Sequence, residues 1–404
     1  MTNKFSSNNH IVIFILAILV VITLGFIISS HFLHTPIDQQ SALNQERSSN
    51  QKITTLTDIT GRKVQVKVPA NRILLGEGRQ LYLLAGLLGN DTVNHIAGWR
   101  NDLIEADPAT YQQYLKVFPE LADIPTFKGK EDSLIDLEST IAEKPDVVLL
   151  NLEAKSNTED AQYIEKLDEL GIPLLYVDFR HKPLENTNST IELLGKLVQQ
   201  EKRASEMILF RKAATEKVTK VLVEHNPKKP KVFIERIGGY SEECCLSFGN
   251  ENFGNYVELA GGHNIGGEFI PGTFGQLSPE QVIVSDPDHV IVTSANWEAY
   301  VPNGRWIPLG PGTDQKEAKK KLEWYPSRTA YTGITAQDDK QFHAIWHQFY
   351  NSPYEFVAIQ KFAKWLHPEL FKDLDPDATF KAFHEQFLPI DYQPGYFISL
   401  YEEK

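Results

Sequence analysis

Arginine and aromatic side chains recur at one kind of position in this sequence. Arg79, Trp99, Arg100, Asn151, Arg180, Arg236, Tyr240 and Trp297 each fall at or just beyond the carboxyl end of a stretch that reads as a β-strand. Guanidinium groups grip carboxylates and phosphates through paired N–H donors, and aromatic faces cover apolar or cationic surface. In an open α/β sheet, ligands bind outside the carboxyl ends of the strands. Four arginines and three aromatics there, in a chain of formal charge -13, point to a cleft for a bulky, partly apolar, electronegative ligand. Catalysis has no comparable signature. The sequence contains no H-E-x-x-H, no G-x-S-x-G and no complete P-loop, and nothing marks a covalently held cofactor, so a binding protein is expected rather than an enzyme.

Three further groups of residues could do chemistry. Gly76-Glu77-Gly78-Arg79 reads as a tight strand-to-helix turn with its amides and Arg79 facing outward toward an anion. His343 and His347 have the i,i+4 spacing of one helical face; two ligands do not close a metal site, but with His95, His181 or His263 they would make a receptor for free zinc or manganese. Cys244 and Cys245 are adjacent, closer than an ordinary disulfide prefers, and are expected to be packed or partly exposed thiols.

The elements that must position these residues are organised around residues 189–225, a stretch without proline that reads as a single helix. Ser189 and Glu192 have capping-box spacing, and Asn226-Pro227 ends the pattern. Such a helix would be on the order of 50 Å long, a strut rather than a layer. On either side of it lie two windows that align without a gap, 136–150 (DLESTIAEKPDVVLL) and 278–292 (SPEQVIVSDPDHVIV). Each reads as a short helix, a Pro-Asp turn and an apolar strand. Convergence on a common unit would explain the match; so would two related lobes with mostly parallel sheets, residues 53–187 and 227–404, joined by one long helix at 188–226, an α/β architecture with a cleft between its halves.

At 404 residues the chain has room for two lobes and a tail. The acidic balance and the lack of a long basic run argue against nucleic acid as a partner. Residues 11–28 form an uncharged, almost wholly apolar run of transmembrane length, and no cysteine near its end offers a lipid attachment point. Residues 1–30 are expected to be an uncleaved signal-anchor in preference to a cleaved signal peptide, with 31–52 as a polar linker, so that the bulk of the chain is exported and tethered to the outer face of the cytoplasmic membrane.

Several segments resemble one family. TDITGRKVQVKVPANRI, DLESTIAEKPDVVLL, ELAGGHNIGG followed by LSPEQVIVSDPDHVIVTS, and the stretch after Arg328 containing FHAIWHQFYNSPYEFVAIQKFAKWLHPELF are similar, in content and order, to ABC-transporter substrate-binding proteins of the cobalamin and ferric-siderophore class. The resemblance covers residue 54 to the C-terminus and is strongest to members that handle iron complexes. It implies a two-lobed, helix-hinged receptor that captures a metal chelate, most simply a ferric siderophore, outside the inner membrane and hands it to an ABC permease. Haem and cobalamin are alternative cargoes, and a membrane-tethered protein-interaction module without a small ligand is the alternative of another class. The ligand would lie between Arg79, Trp99 and Arg100 of one lobe and Arg236, Tyr240 and Trp297 of the other. Acidic rim residues that dock on permease arginines in the family have counterparts in Glu159 or Asp160 and in Glu298. Residues 301–321 look inserted relative to the family.

Overall fold

A computed structural model describes residues 51–129, 133–241 and 243–401. The expected signal-anchor and almost all of the expected linker lie outside these residues. Among the described residues no helix is long and apolar enough to cross a membrane.

The strands follow the apolar runs of the sequence. A hairpin, β1 (Lys52–Thr57) and β2 (Lys63–Val68), precedes a sheet made of β3 (Ile73–Leu75), β4 (Ile96–Arg100), β5 (Thr126–Phe127), β6 (Val147–Asn151) and β7 (Leu174–Val177). All its pairs are parallel, in the order β5-β4-β3-β6-β7. The second half contains β8 (Lys231–Glu235), β9 (Leu246–Phe248), β10 (His263–Asn264), β11 (Phe274–Gln276), β12 (His289–Ser294), β13 (Phe342–Trp346) and β14 (Phe397–Ser399). Its main sheet runs β10-β8-β12-β13-β14, parallel except for the last strand, while β9 and β11 pair as a separate ribbon. Strands β3, β6 and β12, and the edge strand β7, are buried along their whole length, as near-continuous apolar runs in a covered parallel sheet must be.

The repeated windows do the same structural job in both halves. The first becomes a helix at Leu137–Ala142 followed by β6, the second a helix at Pro279–Ser285 followed by β12. In the first, Asp146 accepts hydrogen bonds from the amides of Asn71 and Arg72 (3.0 and 3.2 Å) and donates its own N–H to the Arg72 carbonyl. In the second, Asp288 accepts from the Lys231 amide (2.7 Å) and donates to the Lys231 carbonyl. Each Pro-Asp turn therefore fixes the start of the neighbouring strand, β3 or β8, and with it the register of the sheet. The same device at the same step of both halves favours relatedness over convergence.

The single strut is instead two helices. One spans Pro183–Leu197 and the other Glu201–His225; between them Gln199 takes the left-handed conformation (φ 56°), and the Gln200 N–H turns back to the Gly195 carbonyl. Gly195 makes the bend possible, because a Cβ there would collide with that of Ala204. The first helix begins six residues before Ser189, whose hydroxyl donates to the Glu185 carbonyl inside the helix rather than capping it. Periodicity alone hid the break, since helix formers continue through it.

The halves are not held apart by a rod. One apolar core runs through both sheets, and a smaller cluster around Leu74, Val148, Leu167 and Tyr176 lies on the other face of the first sheet. Phe210 of the second connecting helix packs edge-on against Phe356, Phe383 and Phe387 of the C-terminal helices (Glu355–Leu366 and Pro376–Phe387). Arg211 on the same helix is ion-paired to Glu355 and donates to the Pro353 carbonyl (3.1 Å).

Cys244 and Cys245 are disulfide-bonded to each other across a cis peptide, with their Cα atoms 3.1 Å apart. The expectation of free thiols assumed trans spacing.

Candidate functional site

The Gly76–Arg79 turn does face an anion, but it is the protein's own. The Gly78 N–H donates to Asp102 Oδ1 (2.5 Å) and Arg79 Nε to Asp102 Oδ2 (2.7 Å), so Arg79 points inward and is 3% exposed. Its Nη1 crosses to the other half, donating to Gln348 Oε1 (2.9 Å) and to the Tyr350 hydroxyl (2.7 Å), while Nη2 lies 3.6 Å from Glu77 Oε2. Arg180, beyond the end of β7, converges on the same point. Its Nη2 donates to Glu77 Oε2 (2.9 Å) and to the Tyr350 hydroxyl (3.3 Å), and its Nη1 lies 3.3 Å from Glu153. Both guanidinium carbons sit near the Tyr350 ring, 5.3 and 4.9 Å from its centre.

Asn151, at the end of β6, joins this network from below. It accepts from Gln80 Nε2 (2.8 Å) and donates to Asn351 Oδ1 (3.4 Å), while Asn351 Nδ2 donates to Glu77 Oε2 (2.6 Å). The segment His347–Asn351, which follows β13, thus plugs the seam between the two sheets with Gln348, Tyr350 and Asn351. Charges this deep require such partners, because an unpaired one costs several kcal/mol.

From Tyr350 a line of rings leads outward through the second half. Its centroid is 4.3 Å from that of His347, which is 5.4 Å from Trp297, which is 6.2 Å from Tyr240. Tyr240 also meets Tyr300 and is 41% exposed, so the line runs from solvent to the paired arginines. His347 is held by Thr293 Oγ1 of β12 (2.9 Å). The Trp297 indole N–H is buried and meets no acceptor among the described residues. A buried donor without a partner is costly, and a ligand acceptor would satisfy it.

Of the eight residues marked from sequence, five lie on this one line: Arg79, Asn151, Arg180, Trp297 and Tyr240. The other three do not reach it through the contacts that hold them. Trp99 packs on Tyr111, Arg100 donates to the Ser133 carbonyl (2.5 Å), and Arg236 lies over Phe274 of the β9–β11 ribbon, 4.2 Å from the ring centre. Sequence reasoning missed Gln348, Tyr350 and Asn351, and gave Glu77 and His347 other roles than the ones they take here: Glu77 pairs with both arginines and His347 is a ring of the line. The signal for His347, Gln348, Tyr350 and Asn351 is their place just after a strand, which the helical spacing of His343 and His347 obscures.

The histidine pair takes a different form from the one expected. His343 lies on β13 and His347 after it, so they share no helical face. His343 is bonded to His289 (3.1 Å) and stacked on Trp365. Burial pushes both imidazoles down, His289 to about 4, which keeps them neutral. Of the companions considered for a metal site, His95 is bonded to the Ala70 carbonyl and Asp91, His263 to Glu268, and His181 to Asp178. Glu153, Asp178 and His181 do offer three ligand atoms within 4.8 Å of one another. Asp178 already accepts from the amides of Arg180 and His181 and from Asn186, and Glu153 is charge-paired with Arg180 at 3.3 Å. Burial pushes the Asp178 carboxyl up, but the bonds from His181 and Asn186 outweigh it and leave the group below its usual range, while Asp178 in turn raises His181.

The acidic rim candidates are all on the surface. Glu159 is paired with Lys155, Asp160 is exposed at the end of the same short helix, and Glu298 accepts from the Asn303 amide (3.0 Å).

Two sheets with a linking helix pair and a polar seam at their carboxyl ends define the architecture, and comparison with known proteins identifies it. Residues 94–337 match the family described as periplasmic binding protein. The chain belongs to that family. Its members are the substrate-binding components of ABC transporters, which bind solutes on the extracytoplasmic side of the membrane, in agreement with the resemblance to the cobalamin and ferric-siderophore class. Among solved structures, the TroA-like periplasmic binding protein FepB from Veillonella parvula is 29% identical with a TM-score of 0.77, covering 86% of this chain and 99% of its own. The molybdate-binding protein MolA of Haemophilus influenzae is 22% identical over 373 residues, 84% of this chain and 92% of that protein. CeuE of Helicobacter pylori, in a complex with nickel and histidine, shares 15% identity at a TM-score of 0.61, covering 84% of this chain and 97% of its own. Molybdate and a nickel–histidine complex are chemically different ligands, so the ligand of this chain must be argued from its own seam.

Proposed function

We propose that this chain captures an iron complex, most simply a ferric siderophore, at the seam and delivers it to an ABC permease. The observation that carries the proposal is the ring line from Tyr240 through Trp297, His347 and Tyr350 to Arg79 and Arg180. Rings suit the flat, partly apolar shell of an organic chelate, and guanidinium groups suit its anionic oxygens. Because each arginine is neutralised by Glu77, Asp102 or Glu153, a ligand entering here exchanges contacts with Tyr350 and Gln348 and loosens the seam. Asn151 is proposed as a flanking contact, whereas Trp99, Arg100 and Arg236 are held elsewhere by Tyr111, Ser133 and Phe274. Glu159 or Asp160, with Glu298, would meet the permease, and residues 11–28 would hold the receptor at the membrane.

A tryptophan-quenching panel of ferric catecholate, hydroxamate and carboxylate complexes, haem, cobalamin, molybdate and bare Zn²⁺ or Mn²⁺ tests this reading. Saturable quenching by a ferric chelate that falls at least tenfold in affinity in Arg79→Ala/Arg180→Ala supports it. Selective binding of a bare ion or of molybdate, or no response to any ligand, would replace it.

A further inference from the structure

The segment 301–321, which the family resemblance leaves unexplained, builds a pocket of about 720 Å³ beside the outer end of the ring line. Its walls come from the turn after β8 (Gly239, Tyr240), the loop after β12 (Gly304, Arg305), and the helix Gln315–Leu322 with Trp324 behind it. Gly239 has a φ of 79°, and a Cβ there would collide with the backbone of Arg305 and Trp306, so only glycine lets the two loops close on each other.

The lining is cationic and aromatic in a protein that is otherwise strongly acidic. Arg305, Lys320 and Lys321 face a single lining carboxylate, Glu317. Neither Arg305 nor Lys320 has a carboxylate at ion-pair distance among the described residues. The Arg305 guanidinium lies 4.5 Å from the centre of the Trp324 ring. The Lys321 ammonium sits 3.9 Å from the centre of Trp306 and donates to the Gly304 carbonyl (3.4 Å). Arg305 and Lys321 are held by rings and a carbonyl rather than by counter-charges, and Lys320 is exposed beside them, which leaves their charge available to a ligand.

We propose that this pocket is a second binding site, for a planar aromatic anion, distinct from the seam where Arg79 and Arg180 lie. A ring would stack in the space between Tyr240 and Trp324, and its acidic group would face Arg305 and Lys320. The volume admits a molecule of a few fused or linked rings.

Fluorine NMR titration of the full chain with 4-fluorobenzoate, and with 4-fluorobenzamide as the neutral control, tests this. Saturable binding of the benzoate, weakened at least tenfold in Arg305→Glu/Lys320→Glu and at least threefold in Lys320→Gln, with the benzamide binding weakly in all forms, is the expected result. Absence of saturation in the wild type, or equal loss of benzoate and benzamide in the variants, would overturn the proposal. Repeating the titration with a saturating ferric chelate separates the two sites: retained benzoate binding supports a distinct pocket, and full displacement contradicts it. The benzoate result stands or falls whether or not any chelate binds at the seam.

Discussion

Glu77 is the carboxylate that both seam arginines share, and Glu77→Gln perturbs their charge balance without changing side-chain shape. The carboxylate is 1% exposed and lies 2.9 Å from Arg180 and 3.6 Å from Arg79. With an effective dielectric of about 20, each contact has a gross attraction of roughly 5–6 kcal/mol. Desolvation of the carboxylate offsets much of this, and removing one member of a buried ionic cluster typically costs about 3–5 kcal/mol net. For a domain of this size that corresponds to a fall in melting temperature of roughly 5 °C. Glutamine can still accept from Asn351, so the loss would be electrostatic. The same change takes the cluster from three carboxylates facing two guanidinium groups to two facing two, which removes one net negative charge, and an anionic chelate should bind at least tenfold tighter. Thermal unfolding followed by circular dichroism and chelate titration on the same sample give both numbers. A stability change under about 1 kcal/mol together with unaltered affinity would refute the reasoning, because it would mean that Glu77 is not electrostatically coupled to either arginine.

Other outcomes follow from buried titratable groups. Burial raises the Asp107 carboxyl to about 6, against donation from Tyr82 (2.6 Å), so the folded state holds its proton more tightly than the unfolded chain. Its contribution favours folding at low pH and is lost as pH rises from about 4 to about 6; Asp107→Asn should therefore stabilise by about 3 kcal/mol at pH 7 and by nothing measurable at pH 3.5, read by urea unfolding. His289 and His384 are held neutral by burial, each near 4, so the unfolded chain takes up protons first on acidification. Each should cost about 2 kcal/mol of stability between pH 7 and pH 5, an effect absent for His289 in His289→Phe. Glu355→Gln, which breaks the buried pair with Arg211 on the connecting helix, should destabilise by about 3 kcal/mol or more, and chemical denaturation checks it.

Much of the fold was legible because apolar runs and turn residues are local signals. The windows 136–150 and 278–292 each fold as the short helix and apolar strand read from them, and their Pro-Asp turns mark the repeated halves. The break at Gln199 was hidden because a backbone reversal supported by Gly195 and Ala204 depends on packing, not on composition. The candidate site was legible as a set of strand ends, which is where Arg79, Asn151, Arg180 and Trp297 stand. Its connectivity was not. Tyr350 and Glu77 are ordinary residues in the sequence, and only the crossing of residues 347–351 from one half to the other gives them their partners. Likewise His343 and His347 show helical spacing, yet the chain between them is a strand, because β12 and β14 flank it on both sides.

Hydrogen-exchange footprinting of the full chain with and without a saturating ferric chelate tests the central claim most directly. Changes concentrated at residues 77–80, 178–181, 293–300 and 347–351 are predicted, since those backbones carry the seam and the ring line. Protection confined to surfaces away from both sheets' carboxyl ends, with exchange at 347–351 unchanged, would contradict the account.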